Sequence, residues 1–116
     1  MANPVAWFEI TGPDAGALQK FYGQAFDWEI DAGNESNYGM VTAGQGGIPG
    51  GVGPHPAGAH HATFYIAVDD VDAALAKVVD LGAEVAMPPM DVPEGPRIAF
   101  FTDPAGNQVG IMSVMG

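Results

Sequence analysis

One pattern constrains the fold of this 116-residue chain more than any other: a run of strand, helix and three strands occurs twice. An aspartate stands where each helix should begin, and these two residues, Asp14 and Asp70, are 56 positions apart, close to half the chain. The spacing predicts a duplicated βαβββ unit within a single domain. The predicted boundaries are 1–116 for the domain, 4–54 and 60–115 for the half-units, and 55–59 for the linker between them.

Apolar residues recur at helical spacing after both aspartates, which predicts two amphipathic helices that pack on a sheet. Gly82 is placed to end the second helix in a left-handed conformation. The stripes consist of Leu18, Phe21, Tyr22, Ala25 and Phe26 in the first helix, and of Val71, Ala74, Leu75, Val78 and Val79 in the second.

The segments between the helices have strand composition and are separated by Gly, Pro and Asn. Pro49, Gly50 and Gly51 weaken one of them, so it is predicted to be an edge strand that leads into the linker. Residues 103–106, with the sequence DPAG, predict a hairpin turn. The predicted strands are 5–10, 28–31, 38–43, 48–52, 62–68, 83–87, 97–102 and 107–114.

The charge balance limits the range of partners. The chain has 14 acidic and 3 basic residues, for a formal net charge of −11, so it should repel nucleic acids and anionic membrane surfaces. It has no cysteine, which excludes disulfides, thiolate metal sites and a cysteine nucleophile. No apolar run is long enough for a membrane span and no signal segment is visible, so a cytoplasmic location is expected.

Several motifs resemble the vicinal oxygen chelate superfamily, which contains the bacterial glyoxalase, bleomycin-resistance and extradiol dioxygenase families. They are WFEI and FYGQAFDW in the first half, and YIAVDDVDAALAKVVDLGAEV, PPMDVP and FTDPAGNQVGI in the second. The resemblance implies an α+β fold in which two βαβββ repeats form a curved eight-stranded mixed sheet around a cavity. It also implies a small-molecule ligand and a homodimer.

Members of that superfamily that use a metal hold it on the first and last strands of each half-unit. The resemblance places three of these positions on Trp7, Thr63 and Gly110, and the fourth on the strand at 47–53, which has no carboxylate. None offers the carboxylate or imidazole that a divalent cation needs. The usual metal site is therefore expected to be absent, and no cofactor follows from these four positions.

Strand alternation places Trp7 and Glu9 on one face of the first strand, with Phe8 and Ile10 turned toward the helix. The 56-residue repeat relates Trp7 to Thr63 and Glu9 to Tyr65, so these four residues should face the cavity. Glu9 is the candidate catalytic group, as a general base, although a buried acid can also have only a structural role. Gly110 should leave space for part of a ligand. The predicted substrate-binding residues are Trp7, Glu9, Thr63, Tyr65, Phe101, Gln108, Gly110 and Met112.

Three histidines, His55, His60 and His61, lie in or next to the linker and could bind a transition metal or be solvated. Three functions stay open. The first is metal-free binding of a small molecule. The second is a lyase, isomerase or dioxygenase whose Zn, Ni, Mn or Fe ion is held by Glu9 and a linker histidine, preferably His60 or His61. The third is sequestration of an antibiotic, for which the acidic charge suits a cationic drug.

Overall fold

The computed structural model describes residues 2–44, 46–55 and 60–114, and within them two helices and eight strands follow the predicted order. The order strand, helix, three strands occurs twice, as the duplication predicts. In chain order the elements are β1 (Val5–Thr11), α1 (Ala15–Phe26), β2 (Ile30–Asp31), β3 (Gly39–Val41), β4 (Gly50–Gly53), β5 (His61–Val68), α2 (Val71–Asp80), β6 (Glu84–Asp91), β7 (Arg97–Thr102) and β8 (Gln108–Ser113).

The strands form an eight-stranded mixed sheet with the hydrogen-bonding order β2-β3-β4-β1-β5-β8-β7-β6. Each half repeats the same pairing, because its first strand runs parallel to its last: β1 to β4, and β5 to β8. The last three strands of each half pair antiparallel to one another in sequence order. The predicted α+β fold class is confirmed.

The chain divides into two compact units, and the division falls within β1 and β5. We call Trp7–Thr63 the N-terminal unit, and Met1–Ala6 together with Phe64–Gly116 the C-terminal unit. The start of β5 thus belongs to the N-terminal unit. Residues 56–59 of the predicted linker lie outside the described residues.

The glycine-rich strand β4 is a central strand of the N-terminal unit, so the prediction of an edge strand is wrong. It lies between β3 and β1, and all four of its residues are buried. A Cβ at Gly50 would overlap the ring of Phe8, and a Cβ at Gly51 would overlap the ring of Tyr38. The glycines therefore let two aromatic rings lie directly against the strand.

Helix α1 begins at its predicted cap, because the Asp14 carboxylate accepts a hydrogen bond of 3.0 Å from the Ala17 amide. Its apolar stripe is buried only in part. Leu18 and Tyr22 are half-buried, whereas Phe21 and Phe26 are 59% and 61% exposed. The prediction that the stripe packs on the sheet is thus wrong for its C-terminal half, where Ala25 is exposed as well.

Helix α2 packs as predicted in the C-terminal unit except at Val79, which is 41% exposed. The Asp70 carboxylate caps it by accepting from the Ala73 amide, and Gly82 follows it with φ 109°. Val71 and Leu75 are buried in the core of this unit. The buried core residues are Val68, Val71, Leu75, Ala83, Ala99, Phe101 and Ile111.

Strand β6 extends four residues beyond its predicted end and includes Pro88 and Pro89. It forms one edge of the sheet, where a missing backbone donor is tolerated. Neither α1, with 12 residues, nor α2, with 10, is long enough to cross a bilayer, and the described residues contain no other helix.

Candidate functional site

A carboxylate and two imidazoles meet within the N-terminal unit. Glu9 lies in the middle of β1 and is only 6% exposed. Its Oε2 is 3.0 Å from Nε2 of His61 at the start of β5. The ring of His55 meets that of His61 edge to face, with ring centroids 4.9 Å apart. One potential ligand atom from each of the three residues lies within 4.8 Å of the other two, and we call them the Glu9–His55–His61 cluster.

A second contact between β1 and the start of β5 brings His61 to Glu9. Thr11 and Glu9 share a face of β1 because side chains alternate along a strand. The Thr11 hydroxyl accepts a hydrogen bond of 3.1 Å from the His61 amide. Of the two histidines favoured by the sequence, His61 therefore joins Glu9. The other, His60, is exposed and does not belong to the cluster.

Tyr38 holds the other oxygen of Glu9. Its hydroxyl is 3.0 Å from Glu9 Oε1 and 3.0 Å from the indole Nε1 of Trp7. An indole N–H can only donate, so the Tyr38 oxygen accepts from Trp7 and its own proton goes to Glu9. This order leaves Glu9 Oε2 directed at His61. The phenol beside Glu9 is thus Tyr38, and the predicted pairing of Glu9 with Tyr65 stays a prediction.

Several side chains fix the backbone at Tyr38. The Asn34 side chain accepts from the Tyr38 amide at 3.0 Å and donates to the Tyr38 carbonyl at 2.7 Å. Gln19 of α1 donates to the carbonyls of Asn37 and Val52, at 2.9 and 2.8 Å. Gly51 lies opposite Glu9 in the β1–β4 pair, so the ring of Tyr38 can cross β4 there to reach the carboxylate.

The electrostatic environment sets the protonation of two groups. Burial raises the pKa of Tyr38 far above its ordinary value, and the Glu9 carboxylate raises it further. Tyr38 therefore stays a hydrogen-bond donor at any physiological pH. Burial also lowers the pKa of His55 below 6.5, with a smaller lowering from His61 and an opposing effect from Glu9. His55 is accordingly neutral at pH 7, which leaves a ring nitrogen lone pair for a ligand role.

Comparison with known proteins identifies the family. The model of the glyoxalase/bleomycin resistance protein/dioxygenase superfamily matches residues 5–111. The chain belongs to this superfamily. The resemblance derived from the sequence motifs is thereby confirmed.

Two superfamily relatives are similar along most of this chain. "Putative glyoxylase CFP32" of Mycobacterium bovis is 38% identical over 114 residues, which cover 90% of this chain and 43% of the relative. "Anthracycline biosynthesis protein DnrV" of Streptomyces peucetius is 34% identical over 119 residues, covering 87% of this chain and 43% of the relative. The chain thus spans less than half the length of either protein.

The fold is shared with solved structures of the superfamily. The Mn(II)-bound glyoxalase from Novosphingobium aromaticivorans superimposes with a TM-score of 0.63 at 20% identity, over 96% of this chain and 38% of that chain. At this identity the likeness concerns the fold alone.

The donors of the cluster differ in position from the usual superfamily metal ligands. Glu9 is two residues after Trp7, and His61 is two residues before Thr63. Side chains two residues apart on a strand share a face. Glu9 and His61 therefore lie on the same strand faces as the usual ligand positions, two residues away from them. Two imidazoles and a carboxylate suit Zn, Mn, Fe and Ni. The residues present therefore fit a divalent metal, although the usual positions do not.

Of the other predicted site residues, Thr63 is half-buried in the N-terminal unit, and Tyr65, Phe101, Gln108, Gly110 and Met112 lie in the C-terminal unit. Gly110 pairs with Tyr65 on β5, and a Cβ on Gly110 would overlap the Tyr65 ring. The expectation of ligand space above Gly110 is wrong, because the tyrosine fills it. Phe101 is a core residue of this unit, on the opposite face of β7 from Phe100, whose ring lies 5.2 Å from that of Tyr65. Gln108 is exposed and Met112 is half-buried.

Sequence reasoning missed Tyr38, which was assigned only to a strand. The chain does contain a signal for it. Gly50 and Gly51 are adjacent in a strand flanked by two others, and consecutive buried glycines indicate that bulky groups approach the backbone closely. An aromatic residue at the start of the antiparallel neighbour is the natural candidate for such a group.

Proposed function

We propose that this chain is a small-molecule-binding domain of the superfamily that uses a divalent metal held by Glu9, His55 and His61. The observation that carries the proposal is the convergence of these three donors, with Glu9 almost completely buried. A buried carboxylate is costly unless it is paired with a cation or accepts hydrogen bonds. The proposal departs from the expectation of a metal-free protein, which rested on the usual ligand positions alone.

Each residue has a definite part in this proposal. Glu9 presents the anionic oxygen Oε2, while Tyr38 holds Oε1 and thereby sets the carboxylate orientation. His55 and His61 supply imidazole nitrogens. When bound, a divalent metal would polarise a carbonyl or activate an oxygen ligand, which is the chemistry of a lyase, isomerase or dioxygenase. The substrate class follows from this: a small molecule with adjacent oxygen atoms that can approach Glu9.

One observation keeps metal-free ligand binding as a second candidate. The 3.0 Å contact between Glu9 and His61 is itself a good hydrogen bond. Glu9 could then act as a base or as an acceptor for a polar ligand, with His61 as its partner. Antibiotic sequestration is a further variant of this candidate, and the similarity to a protein named for anthracycline biosynthesis supports it.

Metal titration separates these candidates. The chelator-treated protein is titrated calorimetrically with Zn²⁺, Ni²⁺, Mn²⁺ and anaerobic Fe²⁺. We expect one equivalent of at least one metal to bind. Losing an outer partner of a metal ligand costs roughly 10- to 100-fold in affinity, so Glu9→Gln and His61→Asn should cost more than that. His60→Asn is the matched control, because His60 is adjacent but exposed, and it should bind like the parent.

Two results would count against the metal proposal. One is the failure of all four metals to bind, which would favour metal-free ligand binding. The other is an equal loss of affinity in His60→Asn and His61→Asn, which would indicate non-specific capture by exposed imidazoles.

The homodimer implied by the resemblance is also a proposal. Phe21 on α1, which is 59% exposed, supports it, since an exposed apolar ring on a helix can pack against a second copy. Sedimentation equilibrium should then give twice the 11.9 kDa chain mass at micromolar concentration. A monomer at that concentration would exclude a stable dimer.

A further inference from the structure

A cleft lies in the N-terminal unit, away from the Glu9–His55–His61 cluster. It has a volume of about 530 Å³, within the range of small-molecule sites. Phe8 lines it, and Phe8 is on the opposite face of β1 from Glu9 because adjacent side chains alternate.

Three aromatic rings form one wall of this cleft. The Trp28 ring lies 5.2 Å from that of Phe8 and 6.0 Å from that of Phe26, measured between centroids. Tyr22 stacks on Trp28 at 5.3 Å with an interplanar angle of 14°, which braces the indole from α1. Phe26 remains 61% exposed beside it. The aromatic surface is therefore present before any ligand arrives, and part of it is open to one.

The charge around these rings is negative. Asp27 and Glu29 flank Trp28 in the sequence, and both line the cleft. Asp27 is also the C-terminal cap of α1, where the helix dipole adds negative potential, and the last turn of the helix has no basic residue. The described lining contains no lysine, arginine or histidine. No positive group in this lining neutralises the two carboxylates.

We propose that this cleft binds a small organic cation, an ammonium compound with an aromatic or bulky alkyl body. An ammonium group gains both from carboxylates and from the faces of aromatic rings, and Trp is the best such ring. The apolar body of the ligand gains from burial against Phe8 and Trp28. The net charge of −11 increases the local concentration of cations around the whole chain. This site is independent of the metal proposal, since the two share no residue.

The test compares a cation with its neutral analogue. The probes are 2-naphthylmethylammonium and 2-naphthylmethanol, which differ in charge but share the aromatic body. We expect the ammonium probe to bind at least about tenfold more tightly in calorimetry. In a ¹H–¹⁵N spectrum it should shift the indole N–H signal of Trp28 and leave that of Trp7 in place. Trp7 serves as the internal reference because its N–H is bonded to Tyr38.

Charge-removing variants locate the site. Asp27→Asn should fold normally, because asparagine tolerates the left-handed backbone at this position, where φ is 57°. Glu29→Gln should also fold normally, because Glu29 is exposed. Together they should reduce ammonium binding to the level of the alcohol. The matched control is Asp80→Asn with Glu84→Gln, which removes the same charge from the C-terminal unit. This control should bind the ammonium probe like the parent.

Three outcomes would overturn the proposal. They are equal affinity for the two probes, an equal loss of ammonium binding in both double variants, and no binding at all. The absence of binding includes the case in which a second copy of the chain covers the cleft. Because metal binding is measured separately, with metal ions and with variants of other residues, failure here leaves the metal proposal untouched.

Discussion

Tyr38 has an unusual position among the residues of the site because it accepts from one side chain and donates to another. Its oxygen lies between the Trp7 indole and the Glu9 carboxylate, 3.0 Å from each. The donor-only character of the indole fixes the direction of both bonds. Tyr38 thus orients Glu9 without being a metal donor itself, and we regard it as a positioning residue.

Replacing this hydroxyl tests its positioning role. Tyr38→Phe keeps the ring against Gly51 but leaves Trp7 and Glu9 without their shared partner. The free energy of unfolding should fall by about 1–3 kcal/mol, the cost of leaving buried polar groups unsatisfied. Metal affinity should fall roughly 10- to 100-fold, as for other lost partners of a metal ligand. Urea unfolding and calorimetry measure the two effects.

Tyr22→Phe is the matched control for this variant. It removes the same atom from a ring that packs in the aromatic cluster of α1 and should change metal affinity little. If the two variants bind metal equally well, Tyr38 has no role in orienting Glu9.

His55 should make the stability of the metal-free protein depend on pH. In the folded protein the pKa of His55 lies below 6.5, whereas in the unfolded chain it has the ordinary value of 6.5. The unfolded state therefore carries more protons in this window, and stability falls as the pH drops from above 6.5 toward the lowered pKa. Glu9 and His61 face His55 in the cluster.

Unfolding midpoints between pH 5 and 7.5 check this sign. The midpoint of the parent should fall on acidification in that window, and His55→Gln should lose part of the slope. A parent that becomes more stable on acidification, or a His55→Gln variant with an unchanged slope, would contradict the assignment.

At the scale of elements, strand β4 shows where sequence reasoning succeeds and where it fails. The composition of residues 48–52 predicts a strand near the observed position of β4. The central position of β4 in the sheet does not follow from the sequence, because Pro49, Gly50 and Gly51 have low intrinsic strand propensities. What decides the outcome is the ring of Tyr38, the residue directly before the neighbouring strand β3, and local composition contains no information about that neighbour. Burial by tertiary contacts overrides the weak intrinsic preference of the glycines.

A methyl group in β4 should therefore be costly. In Gly51→Ala the added Cβ would collide with the Tyr38 phenol, so we expect a loss of about 1–3 kcal/mol in the free energy of unfolding, as in overpacked cores. The displaced phenol should also weaken metal binding.

Gly44→Ala is the control for this change, since a Cβ there has no neighbour within 4 Å. That variant should be as stable as the parent, or slightly more so because alanine has less freedom in the unfolded chain. Similar stability of the two variants in chemical unfolding would exclude the proposed close packing in β4.

The two helices also show that a local pattern predicts an element but not its tertiary contacts. Both stripes have the same spacing, and both caps were predicted from a single aspartate. In α2 the stripe packs on the core of the C-terminal unit except at Val79, whereas in α1 it leaves Phe21 and Phe26 exposed. Periodicity identifies which residues share a helix face. It does not show how much of that face the chain itself can cover.

For the molecule as a whole, the duplication could be predicted because it depends on local signals repeated at a fixed distance. The site could be predicted only in part. Glu9 and a linker histidine were candidates from their chemistry, but Glu9 meets His61 over a separation of 52 residues and Tyr38 over 29. Contacts at such distances follow from strand pairing, which the sequence pattern does not specify. The usual superfamily ligand positions predict no metal site. Each is a single residue of a strand, and Glu9 and His61 lie two residues away from these positions.

A divalent metal ion held by His55, His61 and Glu9 would have two imidazole nitrogens and a carboxylate oxygen among its ligands. X-ray absorption spectroscopy of the zinc-loaded protein measures these ligands, since imidazole rings give a characteristic scattering pattern and zinc binds nitrogen and oxygen at about 2.0–2.2 Å. We expect two imidazoles and at least one oxygen donor in the parent, and one imidazole fewer in His61→Asn. A spectrum without imidazole scattering, or one that His61→Asn leaves unchanged, would contradict this set of ligands.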